Sequence, residues 1–95
     1  MNRFKLGDNA FRVEWCYEMP IEDGEAVLDA AKYRRQICAT LPEAEACAQQ
    51  HLPEDHFGAV LIHPVRLTDP HADTEHAGIR SEYCWEETGD PTEIS

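Results

Sequence analysis

Residues 11–19, Phe-Arg-Val-Glu-Trp-Cys-Tyr-Glu-Met, alternate apolar and polar side chains without a break. A period of two belongs to a half-buried strand and not to a helix. Phe11, Val13, Trp15, Tyr17 and Met19 share one face; Arg12, Glu14, Cys16 and Glu18 share the other. A strand with one apolar face needs neighbouring strands and a layer packed on it. This segment therefore argues against an all-helical fold and calls for more strands downstream.

Pro20 stops the first strand, and Asp23-Gly24 marks a loop, with a short helical turn expected around residues 25–30. Residues 32–39 read as a second strand. Tyr33, Arg35, Ile37 and Ala39 share one face; Arg34, Gln36 and Cys38 share the other. Thr40-Leu41-Pro42-Glu43 then starts a helix. Thr40 can cap it, Glu43 completes a capping box, and Pro42 is tolerated in the first turn, whose N–H groups lack intrahelical partners. Leu41, Ala44, Cys47, Ala48 and Leu52 form its apolar stripe, and Pro53 closes it. The small residues of that stripe predict close packing on a sheet.

Residues 57–67 read as a third strand that is apolar on both sides, Ala59 and Leu61 on one, Val60 and Ile62 on the other. Such a strand is buried on both faces. Pro64 within it predicts a bulge or an end to regular pairing. Residues 78–87 form a fourth strand, with Ile79, Tyr83 and Trp85 opposite Arg80, Glu82, Cys84 and Glu86. The predicted fold is α+β: a β-β-α-β-β chain forming a four-stranded, mostly antiparallel sheet with one helix on one face. Ninety-five residues suit a single small domain, residues 1–95, with 88–95 expected to be a flexible acidic tail.

On this reading the helix covers one face of the sheet. The other, open face is expected to carry Arg12, Glu14, Cys16 and Glu18 from the first strand and Arg34, Gln36 and Cys38 from the second. Val60 and Ile62 join them from the third, and Glu82, Cys84 and Glu86 from the fourth.

Charge limits what such a face can meet. The chain has 19 Asp and Glu against 8 Lys and Arg, a formal net charge of −11. Residues 1–50 hold six bases and nine acids; residues 51–95 hold two and ten. Glu18, Glu22, Asp23, Glu25 and Asp29 form a block with no base among them. Such a field repels nucleic acid and anionic lipid and attracts basic surfaces. Lys32, Arg34 and Arg35 with Tyr33 make a small basic patch, but too few phosphate contacts for nucleic-acid binding. These bases are expected to pair with nearby carboxylates. No apolar run approaches the roughly 18 residues of a membrane span. The N-terminal residues lack the apolar segment of a secretion signal, so a cytoplasmic location is expected.

Four cysteines, at 16, 38, 47 and 84, show no C-x-x-C spacing and read as free thiols in a reducing compartment. Cys16, Cys38 and Cys84 all fall on the expected open face, so their convergence is one alternative: a small metal-binding or catalytic domain using cysteine and histidine. The segment His71-Ala-Asp-Thr-Glu-His76 could offer mixed metal ligands but equally reads as a solvated loop. No G-x-S-x-G, Walker A, G-x-G-x-x-G or H-E-x-x-H motif occurs, and neither an enzyme nor a cofactor is expected.

An apolar strand in a one-helix domain leaves surface for something to cover, either a partner protein or a second copy. The expected contact residues are Glu14, Glu18, Val60, Ile62, Glu82 and Glu86. They offer an apolar centre and an acidic rim for a basic protein surface. A purely structural dimerisation protein is the other alternative. The segment Arg35-Gln-Ile-Cys-Ala-Thr-Leu-Pro-Glu-Ala-Glu-Ala-Cys-Ala resembles the strand-into-helix junction of small phage and mobile-element proteins. In its compact, acidic, motif-free character the chain is similar to anti-CRISPR proteins of the DNA-mimic type. That resemblance implies an inhibitor that blocks a basic, nucleic-acid-binding surface of a host defence complex, with no residue assigned a role by it.

Overall fold

A computed structural model describes residues 4–69 and 84–95. The strands are β1 (Asn9–Glu18), β2 (Ile21–Glu22), β3 (Glu25–Ala26), β4 (Lys32–Cys38), β5 (Val60–Leu67), β6 (Trp85–Glu87) and β7 (Thr92–Ile94). One helix, α1 (Leu41–His51), follows β4, and short 3₁₀ turns occupy Leu28–Ala30 and Leu52–Glu54. The fold is the expected α+β arrangement, an antiparallel sheet with one helix. Its main sheet runs β4-β1-β5-β6, with β7 also paired to β5.

Register decides which side chains meet the helix. Val13 lies directly opposite Ile62, and Phe11 directly opposite both Cys38 and Pro64. Residues directly opposite share a face. The apolar face of β1 therefore brings Cys38, Val60 and Ile62 with it to the α1 side. There Val13, Trp15, Cys38, Val60 and Ile62 pack against Ala44, Cys47 and Ala48 of α1. Two alanines at the contact let the helix lie close to the sheet, as the small-residue stripe predicts. Leu41, at the start of that stripe, stays exposed.

This corrects the expected open face. Alternation holds along β1 from Phe11 to Cys16, and a bulge then shifts the register before Glu18. The second, third and fourth strands are turned over: Trp85 lies on the side away from α1, and Glu86, opposite Arg66, on the α1 side. Cys38, Val60 and Ile62 face α1, while Tyr33, Arg35, Ile37, Leu61 and His63 share the opposite face with Arg12 and Glu14. That opposite face has a core of its own, in which Phe4, Ala10, Ile37, Val65, Leu67 and Trp85 cluster. Phe4 meets Trp85 edge-on, with ring centroids 5.2 Å apart.

The helix begins as its sequence predicts. Glu43 N–H donates to Thr40 Oγ1 (3.3 Å), and the Glu43 carboxylate accepts from Ala39 N–H (3.3 Å). Pro64 does not interrupt pairing with β1. Its carbonyl accepts from Thr88 N–H at 2.9 Å, at the point where the neighbour of β5 changes from β6 to β7. The N–H that proline lacks would face this gap, so its loss breaks no ladder bond. The tail expected to be loose instead supplies β7, with Val60 opposite Ile94 and Leu61 opposite Glu93. Ile94 packs on the α1-side core, and that burial holds the strand down. Of the expected fourth strand, residues 78–83 lie outside the described residues and Trp85–Glu87 form β6.

Candidate functional site

The connection between β1 and β4 is a hairpin that periodicity could not reveal, because each arm has two residues. Ile21 pairs with Ala26 and Glu22 with Glu25. Asp23 and Gly24 at the tip both have positive φ, 52° and 82°, as a type I′ turn requires. The Asp-Gly pair was its sequence signal. Glu22 and Glu25 thus stand directly opposite each other. Like charges in that relation destabilise a ladder, and no base from the hairpin offsets them. Ile21 and Leu28 beside them are 70% and 63% exposed. Asp29 adds a further exposed carboxylate in the adjoining 3₁₀ turn.

The carboxylates expected to meet a partner are differently placed. Glu14 accepts from Arg35 Nε at 2.8 Å, Glu18 lies 2.9 Å from Lys32 Nζ, and Glu86 lies 3.0 Å from Arg66 Nη2. Each pair sits directly across its strand ladder. Arg34 lies over the Tyr17 ring, 4.4 Å from its centroid. The basic patch is thus spent within the sheet, as anticipated, and so are three of the expected contact acids. Val60 and Ile62, 0% and 1% exposed, belong to the chain's own core and are removed from the candidate interface. Glu82 lies outside the described residues.

On the face opposite α1, the buried Arg12 donates to Glu87 Oε1 at 2.6 Å. His63, directly opposite Arg12, has Nδ1 3.2 Å from the same oxygen. That contact lies off the hydrogen-bond direction, and among the described residues neither ring nitrogen has a hydrogen-bond partner. One exposed carboxylate therefore serves two groups held under the surface.

Beyond this row, a recess of about 240 Å³ opens between Glu14, Cys16, Tyr33, Leu61 and Glu93 on the sheet and Asp55, Phe57 and Ala59 of the loop before β5. Asp55 builds that loop. One carboxylate oxygen accepts from Phe57 and Ala59 N–H (2.8 and 3.0 Å), and the other from Cys16 N–H (2.7 Å). Asp55 and Gly58 stand at the first and last positions of a turn, the pattern that could have revealed it. Tyr33 and Phe57 stack with centroids 6.4 Å apart, and both are exposed. Burial, then Cys16, Glu14 and Asp55, raise the Tyr33 hydroxyl pKa, while Arg35 opposes them. The field in the recess is negative.

The cysteines do not converge. Cys38 and Cys47 meet under α1, Cys16 is buried on the other side of the sheet, and Cys84 lies against the second core, its Sγ 3.9 Å from Asp69 Oδ2. All four are free thiols. Among the described residues, no three of His, Cys, Asp and Glu form a metal-holding group. His71 and His76 lie outside those residues. No helix among the described residues is long and apolar enough to cross a membrane. Comparison with protein-family models, curated proteins and solved structures returned no match.

Proposed function

We propose that this chain is a non-enzymatic, acidic protein-binding module that docks on a basic surface of the kind that otherwise holds nucleic acid. One observation carries the reading. Glu22 stands opposite Glu25 in a two-residue ladder, beside the exposed Ile21 and Leu28, while Arg12, Lys32, Arg35 and Arg66 are tied up by other carboxylates. An acid–acid pair costs local stability. Among the described residues no base offsets the pair, and local rules are broken in this way at functional or strained positions. A basic partner would relieve that repulsion, and its apolar contacts would cover Ile21 and Leu28.

In its most concrete form the module is a phage or mobile-element inhibitor acting in the cytoplasm, similar to anti-CRISPR proteins. Its carboxylates would take the place of phosphates on a defence complex. The hairpin replaces the central strands as the proposed contact, because the acids of those strands are already paired.

The test is capture from cell lysate by the wild-type chain and by Glu22→Gln with Glu25→Gln, read by mass spectrometry. The reading expects nucleic-acid-binding proteins that are released by salt, displaced by duplex DNA and not captured by the double variant. The same variant should be at least as stable as wild type, since it removes a repulsion. Capture indifferent to salt, DNA and the two substitutions would overturn the reading.

A further inference from the structure

The recess beside Tyr33 and Phe57 differs from the hairpin in being concave and partly apolar. Glu14 is occupied by Arg35, and all three N–H contacts of Asp55 are structural. Glu93 is different. It is exposed on β7, directly opposite Leu61, and no ion pair among the described residues engages it. Counting Glu14, Asp55 and Glu93 against Arg35, the lining keeps a surplus of negative charge.

Two exposed aromatic rings stand at the same place. Ring faces attract cations, most strongly where water is partly excluded. Tyr33 already does this within the chain, since the Arg35 guanidinium carbon lies 5.8 Å from its ring centroid. At about 240 Å³, the recess is smaller than the roughly 300–1,000 Å³ of small-molecule sites. That size suits a single long side chain.

We propose that this recess receives one basic side chain, arginine or lysine, from a partner protein. The cation is held by Glu93 and by the Phe57 ring, beside the Tyr33 ring that Phe57 stacks on, and the alkyl stem lies against Leu61. The proposal rests on the reading of the chain as a module for basic partners. It adds a specific anchor to the diffuse attraction of the hairpin.

The probes are N-acetyl-arginine methylamide and N-acetyl-lysine methylamide, titrated into the full chain. The ring-proton NMR signals of Tyr33 and Phe57 report binding. N-acetyl-norleucine methylamide, which keeps the stem without the charge, is the control, and spermidine is a free amine with no peptide backbone. The basic amides should shift both rings saturably, and norleucine should not. Glu93→Gln should weaken binding about fivefold and Phe57→Ala about tenfold, whereas Asp90→Asn, outside the lining, should leave it unchanged. Equal shifts from norleucine, tighter binding of spermidine than of either amide, or no effect of Glu93→Gln would each overturn the proposal.

The failures of the two readings are separable. If the recess ignores the amides while lysate capture still depends on Glu22 and Glu25, only the anchor is wrong. If the amides bind but capture is indifferent to salt and to the hairpin, the docking reading is wrong and the recess stands as a cation site.

Discussion

Trp15 and His51 stack face to face, with ring centroids 4.0 Å apart and planes 7° from parallel. Trp15 belongs to the central strand β1 and His51 is the last residue of α1, so the pair fastens the end of the helix to the middle of the sheet. His51 Nδ1 also lies 3.3 Å from Glu54 Oε2, in the 3₁₀ turn that follows. An aromatic pair of this kind contributes about 1 kcal/mol beyond its buried area. His51→Ala should lower unfolding stability by about 1–2 kcal/mol and shift the Trp15 fluorescence. Urea melts followed by fluorescence measure both. Unchanged stability would mean that the stack adds nothing to the packing of α1.

Ile62 gives a sharper test of the face assignment. It is fully buried between Val13 and α1. Ile62→Ala should cost about 2–5 kcal/mol, and Ile62→Glu should unfold the chain, because a carboxylate there would have no partner. Circular dichroism reads both. A folded Ile62→Glu chain would return this residue to the surface and restore it as a contact candidate.

Arg12 and Glu87 test a buried charge. Removing the acid leaves a guanidinium under the surface with no carboxylate, a loss that reaches about 3–5 kcal/mol for fully buried pairs. Glu87 is half exposed, so Glu87→Ala should cost less, about 1–2 kcal/mol after allowing for solvent screening. Arg12→Met in the same background should recover most of it, since the uncompensated charge is then gone. Additive losses in this double-mutant cycle would refute coupling between the two.

Cys47 makes the fold sensitive to alkali. Burial, then the neighbouring Cys38 thiol, push its pKa up to about 11. In the unfolded chain it ionises near the ordinary value of 9.0. The folded state therefore holds this proton more tightly. Its contribution is complete below about pH 9 and is lost as pH rises toward 11, on the order of 2 kcal/mol over that window. Chemical melts between pH 8 and 11 should show the decline, with a shallower slope in Cys47→Ala. Identical slopes would remove Cys47 as the cause.

The strands, the helix and its cap were legible because each has enough residues for periodicity to appear and because Thr40 and Glu43 occupy the capping positions. Which way β4, β5 and β6 turn was not legible. Period two fixes which residues share a face but not which face meets the helix. The pairing of Val13 with Ile62 and of Phe11 with Cys38 settles that, and pairing is a long-range property. The acids Glu14, Glu18 and Glu86 look like free surface charge in sequence, and only register reveals Arg35, Lys32 and Arg66 opposite them. The hairpin tip was announced by Asp23-Gly24, but its two-residue arms carry no pattern. β7 was hidden because Thr92–Ile94 acquire a place only through Val60 and Ile62, some thirty positions earlier in the chain.

The division of one side of β5 between β6 and β7 has a consequence for self-assembly. A long, flat strand with unpaired backbone groups is a template on which further chains can stack. On that side the outermost strands among the described residues are only three residues each, parted beside Pro64, and those strands offer no continuous row to copy. The opposite border is β4, longer, but lined with the long charged side chains of Lys32, Arg34 and Arg35, which an added strand would have to accommodate. Among the described residues, one border of the sheet is short and interrupted and the other is charged, and neither is a flat apolar template for growth into fibres.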